Sequence, residues 1–412
     1  MKVLWITNIL FPESLELIGK PTKSQSSGGW LLGMSEQLAS GYDMELTVAT
    51  VSDLVSDLTF LHGNKINYVL IPIGKGNIKY NIEYEKYWME INKSLAPDIV
   101  HIHGTEFSHG LAYIRACGNK NVVVSIQGLA TQIANYYYGG LDKWTIFRNI
   151  SLINILNKNN IFSQKRLMAI RGKSEIEIIN SVDYIIGRTI FDQCHSLAIN
   201  PQVKYYHCNE TLRKEFYSGC WSKKDAIPHT IFVSQSDSSI KGLHIVLRSL
   251  TFVKKKYPDV SLRITGFDFT KGKNISNYGR IIKKIIRKYQ LSTNIVFLGK
   301  MDASQMKQEY LKASVFVCAS SIENSSNSIS EAQILGVPCV ASYVGGTPSL
   351  IPNNMCGDMF RYDDEKMLAF LIQRAFEEDF DNKLMREKAL KRHDPKLNTE
   401  CLINVYNDII SQ

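Results

Sequence analysis

Short apolar runs such as Val122–Ile126 (VVVSI), alternating with helical patterns, constrain this fold more than any other feature of the chain. Such runs suit parallel strands covered on both faces. Strands that alternate with helices imply βαβ units. In the first half the candidate strands are Lys2–Thr7, Glu45–Thr50, Asn67–Ile71, Ile99–His103, Val122–Ile126 and Tyr184–Gly187. Helical patterns such as Trp30–Ser40, Glu83–Lys93 and Phe107–Cys117 lie between them. The second half repeats the plan, with strands at Thr230–Ser234, Ser261–Thr265, Ile295–Leu298, Val315–Cys318, Pro338–Ser342 and Met359–Arg361. The fold class is therefore α/β: two doubly wound, Rossmann-like domains facing a cleft. The expected boundaries are 1–205 and 206–395, with a last helix in 396–412 that packs back on the first domain. In such sheets ligands bind beyond the C-terminal strand ends, so the loops there should carry the chemistry.

At 412 residues the chain is long enough for about two domains. No apolar run reaches the roughly 18 residues of a membrane span. The opening MKVLWITNILF reads as a first strand, because Thr7 and Asn8 interrupt it and no small-residue cleavage pattern follows. Eight cysteines form no C-x-x-C pair, so zinc and redox motifs are not expected and a reducing cytoplasm fits. The net charge of +9 suits an anionic substrate or an anionic membrane surface. No nucleic-acid-binding signature accompanies it, so no nucleic-acid partner is expected.

The polar segment SSIENSSNSISEAQILGVPCVAS (320–342) holds two glutamates, Glu323 and Glu331, around a loop and a helix start. Ser328-x-x-Glu331 matches a helix capping box. The rival reading is that Glu331 accepts hydrogen bonds from ribose hydroxyls, beside N–H groups and a helix dipole that favour phosphate. Glu323 is either a solvated loop charge or a ligand for sugar hydroxyls, with Asn327 and Ser328 among its small polar neighbours. Gly345-Gly346 after the next strand is a tight turn or a place where backbone approaches a ligand. Lys241-Gly242 opens a helix, where a lysine is either a surface charge or a partner for a diphosphate. Gly28-Gly29 opens an early helix without the G-x-G-x-x-G spacing, which disfavours a dinucleotide-dependent dehydrogenase. His101 and His103 share a strand face. A satisfied structural histidine is the default reading for both, less firmly for His103 at the strand end.

Together these motifs resemble the retaining glycosyltransferases of family 4, which have the GT-B fold, and the resemblance covers nearly the whole chain. Its most specific element is E-x7-E, here Glu323 to Glu331. PDIVHIHG, Gly28-Gly29, Lys241-Gly242, FLGKM (297–301) and GGTP (345–348) support it. The resemblance implies transfer of a sugar from a nucleotide-diphosphate donor to a saccharide or lipid-linked saccharide, as in surface polysaccharide synthesis, with retained configuration. It implies no metal and no cofactor beyond the donor. It makes Glu323 the ligand of donor-sugar hydroxyls, Glu331 the ligand of ribose and Lys241 the partner of the departing diphosphate. Gly299, Lys300 and Met301 would lie near the base, and Gly345 and Gly346 near the donor.

Two positions depart from the family pattern. An arginine usually precedes the lysine, where this chain has Ser234-Gln235; Lys271 and Lys300 are candidate substitutes. A histidine commonly follows the strand that ends at Ile126, where this chain has Gln127. Glutamine bonds a hydroxyl but carries no proton, so His103 is a candidate to compensate. The stretch Leu141–Lys173 interleaves lysines and arginines with Trp144, Phe147, Ile153, Ile155 and Leu156. It reads as a core helix with a basic face, or as a peripheral contact with an anionic membrane. Rival functions are an epimerase of sugar nucleotides on the same plan and a sugar-nucleotide-binding protein without catalysis.

Overall fold

The structure, a computed structural model, describes residues 1–21, 29–72, 80–353, 357–379 and 381–412. Two compact units emerge from its contacts. The first comprises 1–131, 167–212 and 393–412, and the second 132–166 and 213–392. The main boundary thus lies at 212/213 rather than 205/206. Residues 132–166 also group with the second unit, because polar contacts tie them there. The Asn154 amide donates to the Ile275 carbonyl (3.0 Å), the Asn277 amide to the Ile146 carbonyl (3.0 Å), and the Ser321 hydroxyl to the Tyr136 carbonyl (3.0 Å). The last helix, Pro395–Ile410, belongs to the first unit, where the Trp5 indole donates to the Tyr406 hydroxyl at 2.9 Å.

The first unit holds strands β1 (Lys2–Thr7), β2 (Glu45–Ser52), β3 (Thr59–His62), β4 (Asn67–Pro72), β5 (Ile99–His103), β6 (Val122–Ser125), β7 (Tyr184–Gly187) and β8 (Lys204–His207). They form a sheet in the order β3-β4-β2-β1-β5-β6-β7-β8, parallel except for β3 against β4. Alternation along β1 shows why both faces are covered. Leu4 and Ile6 join the core with Trp88 and Ile102, whereas Val3 and Trp5 join the opposite core with Leu38 and Tyr406. Each such buried aliphatic side chain contributes roughly 1.5–3 kcal/mol. The sequence reading missed β3 and β8. Both are edge strands with half-exposed residues, so neither carries a continuous apolar run.

The second unit holds β9 (Thr230–Val233), β10 (Ser261–Ile264), β11 (Ile295–Phe297), β12 (Val315–Cys318), β13 (Cys339–Ser342) and β14 (Asp358–Phe360), in the all-parallel order β11-β10-β9-β12-β13-β14. Strand order reverses between β9 and β12. In the first unit it reverses between β1 and β5. These two switch points are where open α/β sheets leave a crevice beyond the strand ends.

Candidate active site

At the switch point of the second unit, the loop after β9 brings Lys241 and the loop after β12 brings Glu323. Their charged groups meet, Nζ to Oε1, at 2.7 Å. Gly242 makes the approach possible. It sits at φ +70°, and a Cβ there would collide with the Ala319 carbonyl. The Ser320 hydroxyl also donates to Glu323 at 2.7 Å. Glu323 is therefore no solvated loop charge: its side chain keeps only 14% of its exposure. Burial works against the Lys241 charge, but Glu323 more than offsets this and holds the ammonium above its ordinary value.

The capping box is not formed. The helix runs Asn327–Leu335 with Ser326 at its N-cap and no side-chain cap, so Ser328 lies inside the first turn and Glu331 one turn too deep to cap it. The Glu331 carboxylate instead makes a fork with the Arg213 guanidinium, at 2.7 and 2.8 Å. Burial raises the Glu331 pKa and Arg213 counters part of that rise. The buried Tyr310 hydroxyl donates to the Ser328 carbonyl at 3.0 Å and fixes the helix start from below. Asn327 is the first residue of that helix. After β13, Gly345 adopts φ +48° against the Glu323 carbonyl, where a Cβ would clash, and the Gly346 N–H donates to that same carbonyl at 3.0 Å. Lys241, Glu323, Gly345 and Gly346 thus form one local cluster, and Arg213 locks Glu331 one turn into the adjoining helix.

Of the remaining positions in this unit, Gln235 is exposed in the loop after β9. Gly299 pairs with Gly266 as an isolated antiparallel bridge and lines a cavity of about 670 Å³ with Phe267, Asp268 and Lys271. Lys300 and Met301 follow it. Lys300 lies over the Phe267 ring at 5.8 Å, and Lys271 pairs with Asp268 at 2.9 Å. Lys271 also lines a second cavity with Asp237, Ser238 and Ser239 of the loop that leads to Lys241. Among the described residues, the cation that ion-pairs with the E-x7-E pair besides Lys241 is Arg213. It was missed because it lies in the seam between the halves, where no periodicity points to it.

In the first unit, His103 and Gln127 line a small cavity of about 30 Å³ with Trp30, Arg188 and Glu210. His101 is satisfied on both sides, by the Tyr406 hydroxyl and the Ser125 hydroxyl at 2.6 Å each. His103 is buried with no hydrogen-bond partner on either ring nitrogen, packed edge-on to Trp5 at 4.4 Å. Burial, with His101 beside it, pushes its pKa well down, so the imidazole is neutral. Arg188 follows β7. It ion-pairs with Glu210 and donates to the Ile126 carbonyl (3.0 Å) and the Gln127 side-chain oxygen (3.4 Å). Glu175 grips the loop after β6 through the N–H groups of Ala130 (2.5 Å) and Thr131 (3.1 Å). Burial, reinforced by Glu175, pushes the Glu106 carboxyl up to about 7. Arg188 follows a C-terminal strand end, so the strand-end rule applied to β7 would have found it. Glu106 and Glu175 carry no such signal. Gly29 begins the helix Gly29–Gly41, and Gly28 lies outside the described residues.

Residues 221–392 match the family model described as Glycosyl transferases group 1, so the second unit carries a group 1 glycosyltransferase domain. Spore coat protein SA of Bacillus subtilis is 24% identical over 220 residues, 48% of this chain and 56% of that protein. One component of human phosphatidylinositol N-acetylglucosaminyltransferase is 26% identical over 159 residues, 38% of this chain and 31% of that protein. The chain thus spans about half and about a third of the lengths of these relatives. Among solved structures, sucrose-phosphate synthase from Thermosynechococcus elongatus superposes with a TM-score of 0.67 at 16% identity, covering 100% of this chain and 99% of that one. HepE of Anabaena, solved with UDP, gives 0.65 at 14% identity, covering 99% and 100%. These likenesses establish the two-domain GT-B fold.

Proposed function

We propose that this chain is a retaining, metal-independent glycosyltransferase that moves a sugar from a nucleotide-diphosphate donor to a saccharide or lipid-linked saccharide in surface polysaccharide synthesis. The observation that carries this reading is the Lys241–Glu323 contact at the switch point, inside the residues that match a group 1 glycosyltransferase domain. The UDP in the HepE structure, a fold relative, supports a nucleotide-sugar donor.

In this reading the diphosphate takes Lys241 from Glu323, and Glu323 then accepts hydrogen bonds from donor-sugar hydroxyls. Arg213 holds Glu331 in one orientation, leaving its outer lone pairs for ribose. The bond between the anomeric carbon and the diphosphate oxygen breaks as Lys241 stabilises the developing charge. The acceptor oxygen bonds to the same face of that carbon, and its proton passes to the departing phosphate. No protein base is required, which accommodates Gln127 in place of histidine. Free cysteines among the described residues suit a reducing cytoplasm.

A panel of nucleotide-sugars with simple saccharide acceptors tests this reading. Nucleotide release together with a product whose anomeric configuration matches the donor, read by NMR, supports it. A changed nucleotide-sugar without an acceptor indicates the epimerase instead. Donor binding with neither transfer nor hydrolysis indicates a binding protein.

A further inference from the structure

Of the two readings of Leu141–Lys173, the single core helix does not hold. The segment folds into short helices at Lys143–Phe147 and Leu152–Leu156, followed by the long helix Ile161–Ser181. Inward polar anchors hold the first two in place. Ile146 is fully buried and its carbonyl accepts from Asn277, Asn154 donates to Ile275, and a capping box closes on Ser151. The other large apolar side chains of these two helices point outward. Trp144, Phe147, Leu152, Ile153, Ile155 and Leu156 are all exposed, with Leu152 at 79% and Leu156 at 80%. Trp144 and Phe147 stack on each other at 5.9 Å.

Beside this hairpin lies a cavity of about 290 Å³ whose wall holds Arg148, Arg280, Lys283, Lys284 and Arg287 and no carboxylate. Among the described residues none of these five cations makes an ion pair, and the Arg280 Nε is buried without a partner. One acid, Asp142, stands at the hairpin start, where it caps the first helix by accepting from Thr145. No helix among the described residues is long and apolar enough to cross a membrane.

We infer that the hairpin 142–160 is a peripheral membrane anchor: its apolar tips enter an anionic lipid surface while the cationic cavity receives a lipid headgroup phosphate. Trp144 and Phe147 have the aromatic character favoured at the bilayer interface. One aromatic and one aliphatic helix tip, with basic groups beside them, match the apolar-plus-electrostatic pattern of interfacial binding. The buried, unpaired Arg280 Nε selects an anion over mere proximity to charge. The anchor is independent of the transfer reading, since it uses none of the donor-site residues.

Co-sedimentation of the full chain with vesicles tests it. Vesicles of phosphatidylcholine alone are compared with vesicles that contain one-third phosphatidylglycerol, at low and high salt. Binding should need the anionic lipid and weaken with salt. The variant Lys283→Gln/Lys284→Gln/Arg287→Gln should lose about fivefold per cation, roughly two orders of magnitude in all. Leu152→Ser/Leu156→Ser should lose binding while nucleotide release from the donor in solution stays at the parent level. Equal binding to both vesicle types, or full binding by either variant, overturns the inference. So does a dimer in solution that Leu152→Ser/Leu156→Ser dissociates, since a second copy would then be the occupant. Tight binding to DNA that competes away the anionic vesicles at moderate salt would equally overturn lipid as the ligand.

Discussion

The two switch points use the same strand logic with opposite chemistry. In the second unit, loops after β9 and β12 bring a lysine onto a carboxylate, and an arginine clamps the next carboxylate along. In the first unit, the end of β5 presents a neutral, unpartnered imidazole, and the loop after β6 a glutamine held by Arg188. Charge placed at one switch point suits an anionic diphosphate. At the other, a small cavity where Glu210 neutralises Arg188 beside a neutral imidazole suits hydroxyls. A shared topology therefore sets where a ligand would sit, and the side chains set which chemistry it would meet.

The hardest blow to the charged side should come from Arg213→Leu, which strands a buried Glu331. Unfolding in urea should show a loss of about 3–5 kcal/mol, and adding Glu331→Leu should restore most of it. A loss below about 1 kcal/mol would mean the clamp is ornamental.

Next in size is Lys241→Met. Turnover, read as released nucleotide, should fall by about 10²–10³, the effect of removing one preorganised donor from a developing negative charge. A change under tenfold would remove Lys241 from the chemistry and weaken the contrast between the units. Glu323→Ala should likewise reduce transfer far more than it reduces stability.

The first unit is sharpened by pH. Because the folded-state pKa of Glu106 is raised to about 7, its contribution is full below the usual glutamate range and is lost as pH rises through about 7. A shift of that size corresponds to on the order of 3 kcal/mol. Thermal melts across pH 4–8 should show this decline in the parent chain and a flatter profile in Glu106→Gln. An unchanged profile would place the carboxyl in contact with solvent.

The smallest effect is expected from His103→Leu. Both ring nitrogens lack partners, so an apolar side chain of similar size should stabilise the unit by about 1 kcal/mol. If the imidazole serves an acceptor hydroxyl, transfer should fall even as the melting temperature rises. A fall in both would show that His103 is a packing residue with a hidden bond.

Much of this was legible because parallel strands leave a local mark. β1, β5, β7 and β12 fall on the residues their apolar runs indicate, since a strand buried on both faces must be largely apolar. The edge strands β3 and β8 left no such mark. The capping-box reading failed for a related reason: Ser328-x-x-Glu331 satisfies the local pattern, but a guanidinium 118 residues away competes for that carboxylate and wins it.

By itself the chain's order of residues determined two α/β units, the strand ends where a ligand would bind, and the candidate acids and lysine. Each of these depends on neighbours within a few positions. Only the tertiary structure decided which charges meet, Arg213 with Glu331 and Lys241 with Glu323, and which basic groups gather beside the apolar hairpin. It also assigned residues 132–166 to the second unit. Pairings across tens or hundreds of residues are selected by the energy of burying them together, and that energy has no trace in local spacing.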